Sequence, residues 1–218
     1  PRTICCSSVL FLPGIEASRL YDTAVEKEVR LWEPTIGKNF VSELFMNNLG
    51  ESIGQDIYTR DIIDESLAPI IGPNIYKSFI NTMNNLKRNR TITDWKPIPY
   101  DWRFSPEQIV LGGKETGGII SYIKATSSPY IIQELKRLAD SSKTDKVTLI
   151  AHSNGGLIAK ALMIKLADMG LTDLIDKIIF VAVPQIGTPQ AVGALLHGFN
   201  QNIPLILSLK TAMDLALN

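Results

Sequence analysis

The stretch K-V-T-L-I-A-H-S-N-G-G, residues 146–156, joins two different patterns. Positions 147–151 form a short apolar run rich in β-branched side chains, the composition of a strand buried on both faces. From position 157 to 166 the apolar residues recur at helical spacing. Ser153 falls between the two, followed by Asn154, Gly155 and Gly156. Strand, serine, small residues and helix predict a tight turn that exposes the serine oxygen above a sheet. The helix N-terminus beside it favours developing negative charge. Small residues are needed two places either side, because the strand and helix backbones cross closely. Ala151 and Gly155 fill those places, one methyl more than G-x-S-x-G. The same residues also fit an ordinary turn whose serine caps the helix. On its own the motif makes Ser153 a candidate nucleophile and no more.

Composition bounds what can surround that motif. The chain has 218 residues, is 45% hydrophobic and has a mean hydropathy of +0.09, enough to bury a sizeable core. Lys and Arg total 22 and so do Asp and Glu, which argues against a nucleic-acid partner and against an acidic tail. No run approaches the roughly 20 apolar residues of a membrane span. The two cysteines, Cys5 and Cys6, are adjacent and read as packed small hydrophobes rather than a disulfide framework. The start, Pro1-Arg2-Thr3, lacks an initiator Met and reads as trimmed. Location is therefore open, with a secreted or cell-envelope setting compatible.

Upstream, V-L-F-L at 9–12 is a second buried-strand run, stopped by Pro13-Gly14. Residues 21–95 mix short amphipathic pieces, at 40–49 and 75–86, with Gly, Pro and Asn breaks. They show no long buried strand and are expected to form an inserted cap or lid. Within them, L-W-E-P at 31–34 is expected to pack rather than touch a ligand. K-P-I-P-Y-D-W-R-F at 96–104 reads as a strand and turn, with Asp101 and Arg103 as a structural pair. The pairs Gly112-Gly113 and Gly117-Gly118 match no phosphate-loop spacing. They are read as hinges before a helix over 119–141, broken near Pro129.

Downstream, 178–183 is a further apolar run expected to be a buried strand. It ends in P-Q-I-G-T-P at 184–189, a turn placed on the ligand-binding rim of an α/β sheet. Helix follows from Gln190, interrupted near Pro204. Strands alternating with helices predict an α/β fold with a mostly parallel sheet covered by helices.

Four blocks then stand in order: P-G-I-E-A-S-R-L at 13–20, P-Y-D-W-R at 99–103, A-H-S-N-G-G at 151–156 and P-Q-I-G-T-P at 184–189. Together they resemble the lecithin:cholesterol acyltransferase-like branch of the α/β-hydrolases, which includes phospholipases, acyltransferases and bacterial lipases. The resemblance implies one partial α/β-hydrolase-like domain over 1–218, with its cap or lid at about 21–95. It implies Ser153 as nucleophile and the N–H groups of Ile15 and Asn154 as oxyanion donors, with Glu16 as the fallback donor. A lipid or other hydrophobic ester is the implied substrate, with transient contact to a lipid surface. Neither a metal nor a cofactor is assigned, because acyl transfer through a serine needs none.

Histidine supply is the point of tension. The chain holds His152 and His197. His152 adjoins the serine and is read as a packing or loop-stabilising residue. His197 falls on the helix after the 184–189 turn and is the weaker candidate for the base, expected outside hydrogen-bond reach of Ser153. Enzymes of this branch carry their acid and histidine after later strands, so both are expected beyond Asn218, in a chain truncated at its C-terminus. Two functions follow from this. One is a serine-dependent lipid ester hydrolase or O-acyltransferase working through an acyl-enzyme; the other is an inactive module of the same fold, used for lipid binding or as an interaction scaffold.

Overall fold

The structure, a computed structural model, describes residues 6–23, 28–34, 40–54, 56–66, 73–122 and 125–197. In chain order it runs β1 (Ser8–Leu12), β2 (Ser18–Asp22), β3 (Val29–Trp32), β4 (Ile57–Ile62), α1 (Lys77–Arg88), β5 (Trp95–Pro97) and α2 (Pro106–Leu111). It continues with β6 (Lys114–Thr116), β7 (Ile119–Ser121), α3 (Tyr130–Ser141), β8 (Val147–His152), α4 (Gly155–Asp168), β9 (Ile175–Val181) and α5 (Pro189–His197).

These strands make two sheets. The first, in the order β5-β1-β8-β9, is parallel throughout. Its centre is the pair β1 and β8, in register from Ser8 opposite Val147 to Leu12 opposite Ala151. Their side chains are almost all buried, as the apolar runs require for a sheet covered on both faces. On one side, α3 and α4 supply Ile131, Leu135, Leu138, Ile158, Leu162 and Leu166 to a core shared with Leu10, Leu12 and Leu149. Burying a leucine or isoleucine of that kind is worth roughly 2 kcal/mol before cavity effects. On the other, Phe11 packs edge-on to Tyr76 at 5.1 Å and against Phe79 at 4.4 Å. This is the α/β-hydrolase-like arrangement expected from the sequence.

The second sheet, β3-β2-β4-β7-β6, is antiparallel. It corrects three expectations. The 21–95 segment does contain a largely buried strand, β4. The expected helix over 119–141 is instead strand β7 followed by α3, which starts at Tyr130, directly after Pro129. Proline fixes its own φ and suits the entry to a helix, not its middle. The glycine pairs are a helix stop and a hairpin turn: Gly112 caps α2, while Gly117 and Gly118 join β6 to β7. At its other end α2 begins as composition dictates. Ser105 and Gln108 form a reciprocal capping box with Pro106 at the first helical position.

Two further expectations change. The 178–183 run is strand through Val181, but Ile179, Phe180 and Val181 are each more than 40% exposed, so it is not buried. Cys6 is disulfide-bonded, against its reading as a packed thiol. The 31–34 stretch does pack: Trp32 is buried, edge-on to Trp102 at 5.3 Å, and its Nε1–H donates to the Glu16 carbonyl at 2.6 Å. Among the described residues no helix is long and apolar enough to cross a membrane.

Candidate active site

The parallel sheet brings two chain segments together at the carboxyl ends of its central strands. One is the 13–16 loop that follows β1. The other is the turn at Ser153 and Asn154 between β8 and α4. Ser153 has φ +50, a left-handed backbone that a non-glycine residue adopts at a cost of roughly 1–3 kcal/mol. Its surroundings hold it there. The Ser153 N–H donates to the Val181 carbonyl of β9 at 2.9 Å, and the Ser153 carbonyl accepts from Gly156 N–H at 3.0 Å.

Close approach explains the small residues around it. A Cβ on Gly155 would lie 2.3 Å from the Leu12 carbonyl oxygen and 2.5 Å from that of Pro13. On Gly156 it would strike the Val183 side chain at 2.3 Å. Ala151 is fully buried between Leu12 and Phe180, where one methyl fits. The loop abuts the turn less tightly: a Cβ on Gly14 would sit 3.1 Å from His152 Nδ1 and 3.3 Å from Ser153 Cβ.

Among the described residues, nothing accepts from the N–H of Ile15, Glu16 or Asn154. The Asn154 carbonyl, by contrast, is engaged by Leu157 and Ile158 N–H at 2.9 and 3.2 Å, starting α4. Ile15 is 56% exposed and Glu16 has φ +59, so the loop turns sharply beside the serine. Burial pushes the Glu16 carboxyl above its ordinary pKa.

The other candidates fall elsewhere. His152 is half-buried, and its Nδ1 is 2.7 Å from the Tyr76 hydroxyl. Burial lowers its pKa, which favours the neutral ring. Asp101 is fully engaged by Arg103, at 2.9 Å to Nε and 2.5 Å to the terminal nitrogen, with both side chains buried. That is the structural pair expected, and Arg103 also reaches the Leu44 carbonyl and Ser52 Oγ. His197 is the last residue of α5, and its imidazole lies outside the described residues, as does everything from 198 onward.

Sequence reasoning did not find Tyr76 or Tyr100 at this junction. Tyr100 had a signal in its P-Y-D-W-R block; Tyr76, in a segment of mixed short pieces, had none. A cavity of about 300 Å³ opens beside the antiparallel sheet, lined by Arg19, Arg60, Asp61, Asp64 and Lys96 among others. None of its lining residues belongs to the serine turn or the 13–16 loop.

Comparison with known proteins agrees with this geometry at the level of family. The model of the family described as lecithin:cholesterol acyltransferase matches residues 57–215, well over half of the chain. The match includes the Ser153 turn and begins after the 13–16 loop. No curated protein and no solved structure matches the chain.

Proposed function

The chain belongs to the lecithin:cholesterol acyltransferase family, and on that premise we propose that it transfers acyl groups from lipid esters through an acyl-enzyme on Ser153. Family membership supports lipid acyltransferase or phospholipase-like activity. The observation that carries the finer reading is the Ser153 turn itself. A serine at φ +50 lies between a buried parallel strand and a helix N-terminus, and the adjoining loop carries backbone N–H groups with no acceptor among the described residues.

In this reading the Ser153 Oγ attacks the ester carbonyl carbon. Negative charge passes to the carbonyl oxygen, held by the N–H of Asn154 and of Ile15, or of Glu16 if the loop shifts by one residue. The ester C–O bond then breaks, the alcohol leaves with a proton, and the acyl group stays on Ser153. Water or a second alcohol reverses these steps, giving hydrolysis or acyl transfer. The serine proton needs an acceptor, and His197 is the candidate within this chain. Residues 21–95 are assigned to a cap over the cleft, supported by the contact of Tyr76 with His152.

The test is covalent. A fluorophosphonate ester should label the peptide containing Ser153, and Ser153→Ala should remove the label. Where the catalytic histidine is in place, turnover of a p-nitrophenyl ester should fall by roughly a thousandfold or more in the same variant. Equal turnover by wild type and Ser153→Ala would overturn the assignment, and the same assay on His197→Ala decides whether His197 is the base.

A further inference from the structure

Two phenols bridge the 13–16 loop and the Ser153 turn. Tyr76 lies just before α1; its hydroxyl oxygen accepts from Gly14 N–H at 2.9 Å and lies 2.7 Å from His152 Nδ1. Tyr100 follows β5; its hydroxyl is 2.9 Å from the Pro13 carbonyl, 3.0 Å from the Gly14 carbonyl and 3.3 Å from Asn154 Nδ2. Among the described residues, every hydrogen-bond partner of both hydroxyls is on the loop or next to the serine.

Pairing every proton selects one arrangement. A backbone N–H can only donate, so the Tyr76 oxygen accepts from Gly14, and among the described residues the phenol proton is bonded only if it goes to His152 Nδ1. In that arrangement His152 is neutral, with its proton on Nε2. At Tyr100 two carbonyls can only accept, so the phenol proton goes to Pro13 or Gly14 and the Asn154 amide nitrogen donates to the phenol oxygen. Each hydroxyl is used as both donor and acceptor, once toward the loop and once toward the turn.

Packing alone does not require these hydroxyls. Tyr76 stacks edge-on against Phe11 at 5.1 Å, and Tyr100 is fully buried in the main core, where phenylalanine rings would serve. A buried hydroxyl is retained at a cost unless its hydrogen bonds are made. Here those bonds join segments 54 to 87 residues apart at one point, beside the serine. We infer that Tyr76 and Tyr100 are positioning residues that lock the 13–16 loop to the Ser153–Asn154 turn, so that backbone N–H groups on the two segments keep a fixed separation. The lock rests on these hydrogen bonds, and its catalytic consequence rests on the reading of Ser153 given above. Preorganised donors stabilise an oxyanion because they need no rearrangement when charge develops.

Imidazole nitrogen spectroscopy tests the lock without any substrate. With ¹⁵N-labelled histidine, His197→Gln leaves the His152 signals alone. At neutral pH they should show a protonated Nε2 and an Nδ1 that accepts a hydrogen bond. Tyr76→Phe should populate the other tautomer and speed exchange of the Gly14 amide, and Tyr100→Phe should leave the tautomer as it is. Both variants should slow fluorophosphonate acylation of Ser153 by about tenfold, less than the loss of an oxyanion donor itself, with the half-saturating concentration unchanged.

A His152 with its proton on Nδ1 in the His197→Gln protein overturns the lock, and this measurement needs neither tyrosine variant to fold. Wild-type tautomer and wild-type acylation in folded Tyr76→Phe overturn it equally. A wild type that is never acylated, yet shows the Tyr76-dependent tautomer, overturns the nucleophile assignment and supports the lock.

Discussion

The two sheets of this molecule are held together differently. In the parallel sheet, β1 and β8 bury almost every side chain, and their register delivers the 13–16 loop and the Ser153 turn to the same end. In the antiparallel sheet, β2 and β4 carry Arg19, Tyr21, Tyr58, Arg60 and Asp61 on strands that are still largely buried. Arg19 there donates to Glu33, Asp61, Asp64 and the Glu65 carbonyl. Those carboxylates, pulling against burial, raise its pKa further. Tyr21 is pushed up to about 12 by burial and by Asp61. One sheet is secured by close packing and the other by packing plus a charge network. Substitutions should therefore fail for steric reasons in the first and for electrostatic reasons in the second.

The sharpest break of that contrast is Gly155→Ala. The added methyl meets two backbone carbonyls, of Leu12 and Pro13, at 2.3 and 2.5 Å, and neither can rotate away as a side chain would. Relief requires moving the end of β1 or the start of α4. A loss of about 3 kcal/mol is expected from overpacking, read by chemical denaturation, together with loss of the serine chemistry. A Gly155→Ala protein as stable as wild type would mean that the junction is looser than these distances.

Arg19→Met is the electrostatic counterpart. It leaves Glu33, whose side chain is 4% exposed, with only Arg30 at 3.8 Å among the described residues. Removing one partner of a buried ion pair costs about 3 kcal/mol, because the other charge stays buried. Unlike Gly155→Ala, this loss should shrink in Arg19→Met/Glu33→Gln, where the stranded charge is gone. Equal losses in the single and double variants would show that Arg19 contributes through packing.

The contrast also explains what could be read from the residues. A central parallel strand announces itself as an unbroken apolar run, so β1, β8 and the Ser153 turn were legible. The Asp101–Arg103 pair was legible too, because its members are two residues apart. The antiparallel sheet was not. Its strands are short and mix charge with apolar residues, and β4 pairs with β7, some sixty positions downstream, through no local signal. The run over 178–183 misled for a related reason: apolar content marks a strand but does not say what covers it. Tyr76 was illegible because its role depends on where the sheet places Gly14 and His152, and not on its neighbours in the chain.

A milder comparison sets Gly118 against Gly155. Gly118 turns the β6–β7 hairpin at φ +85, and a Cβ there meets nothing within 4 Å. Space is free, so only the left-handed backbone penalises a side chain. Gly118→Ala should cost about 1 kcal/mol by thermal unfolding and leave the Ser153 chemistry untouched. A loss as large as that of Gly155→Ala would place the hairpin under tertiary restraint.

The smallest expected effect concerns acid. Asp64 belongs to the Arg19 network, at 2.9 Å from its guanidinium. Burial raises its pKa, but the Glu65 backbone N–H and Arg19 together outweigh that and hold it below its usual 3.8. A carboxylate with a depressed folded-state pKa adds stability above its unfolded value, and that contribution is lost as pH falls through the folded one. The Asp64 side chain is 48% exposed, so solvent screening limits the gain to about 0.5 kcal/mol. Asp64→Asn should therefore melt slightly below wild type at neutral pH. The gap should close as the medium is acidified past the folded pKa, where both side chains are uncharged, and added salt at neutral pH should narrow it as well. A gap that persists unchanged into strong acid would mean that Asp64 acts through shape, and the antiparallel sheet would then be held in the same way as the parallel one.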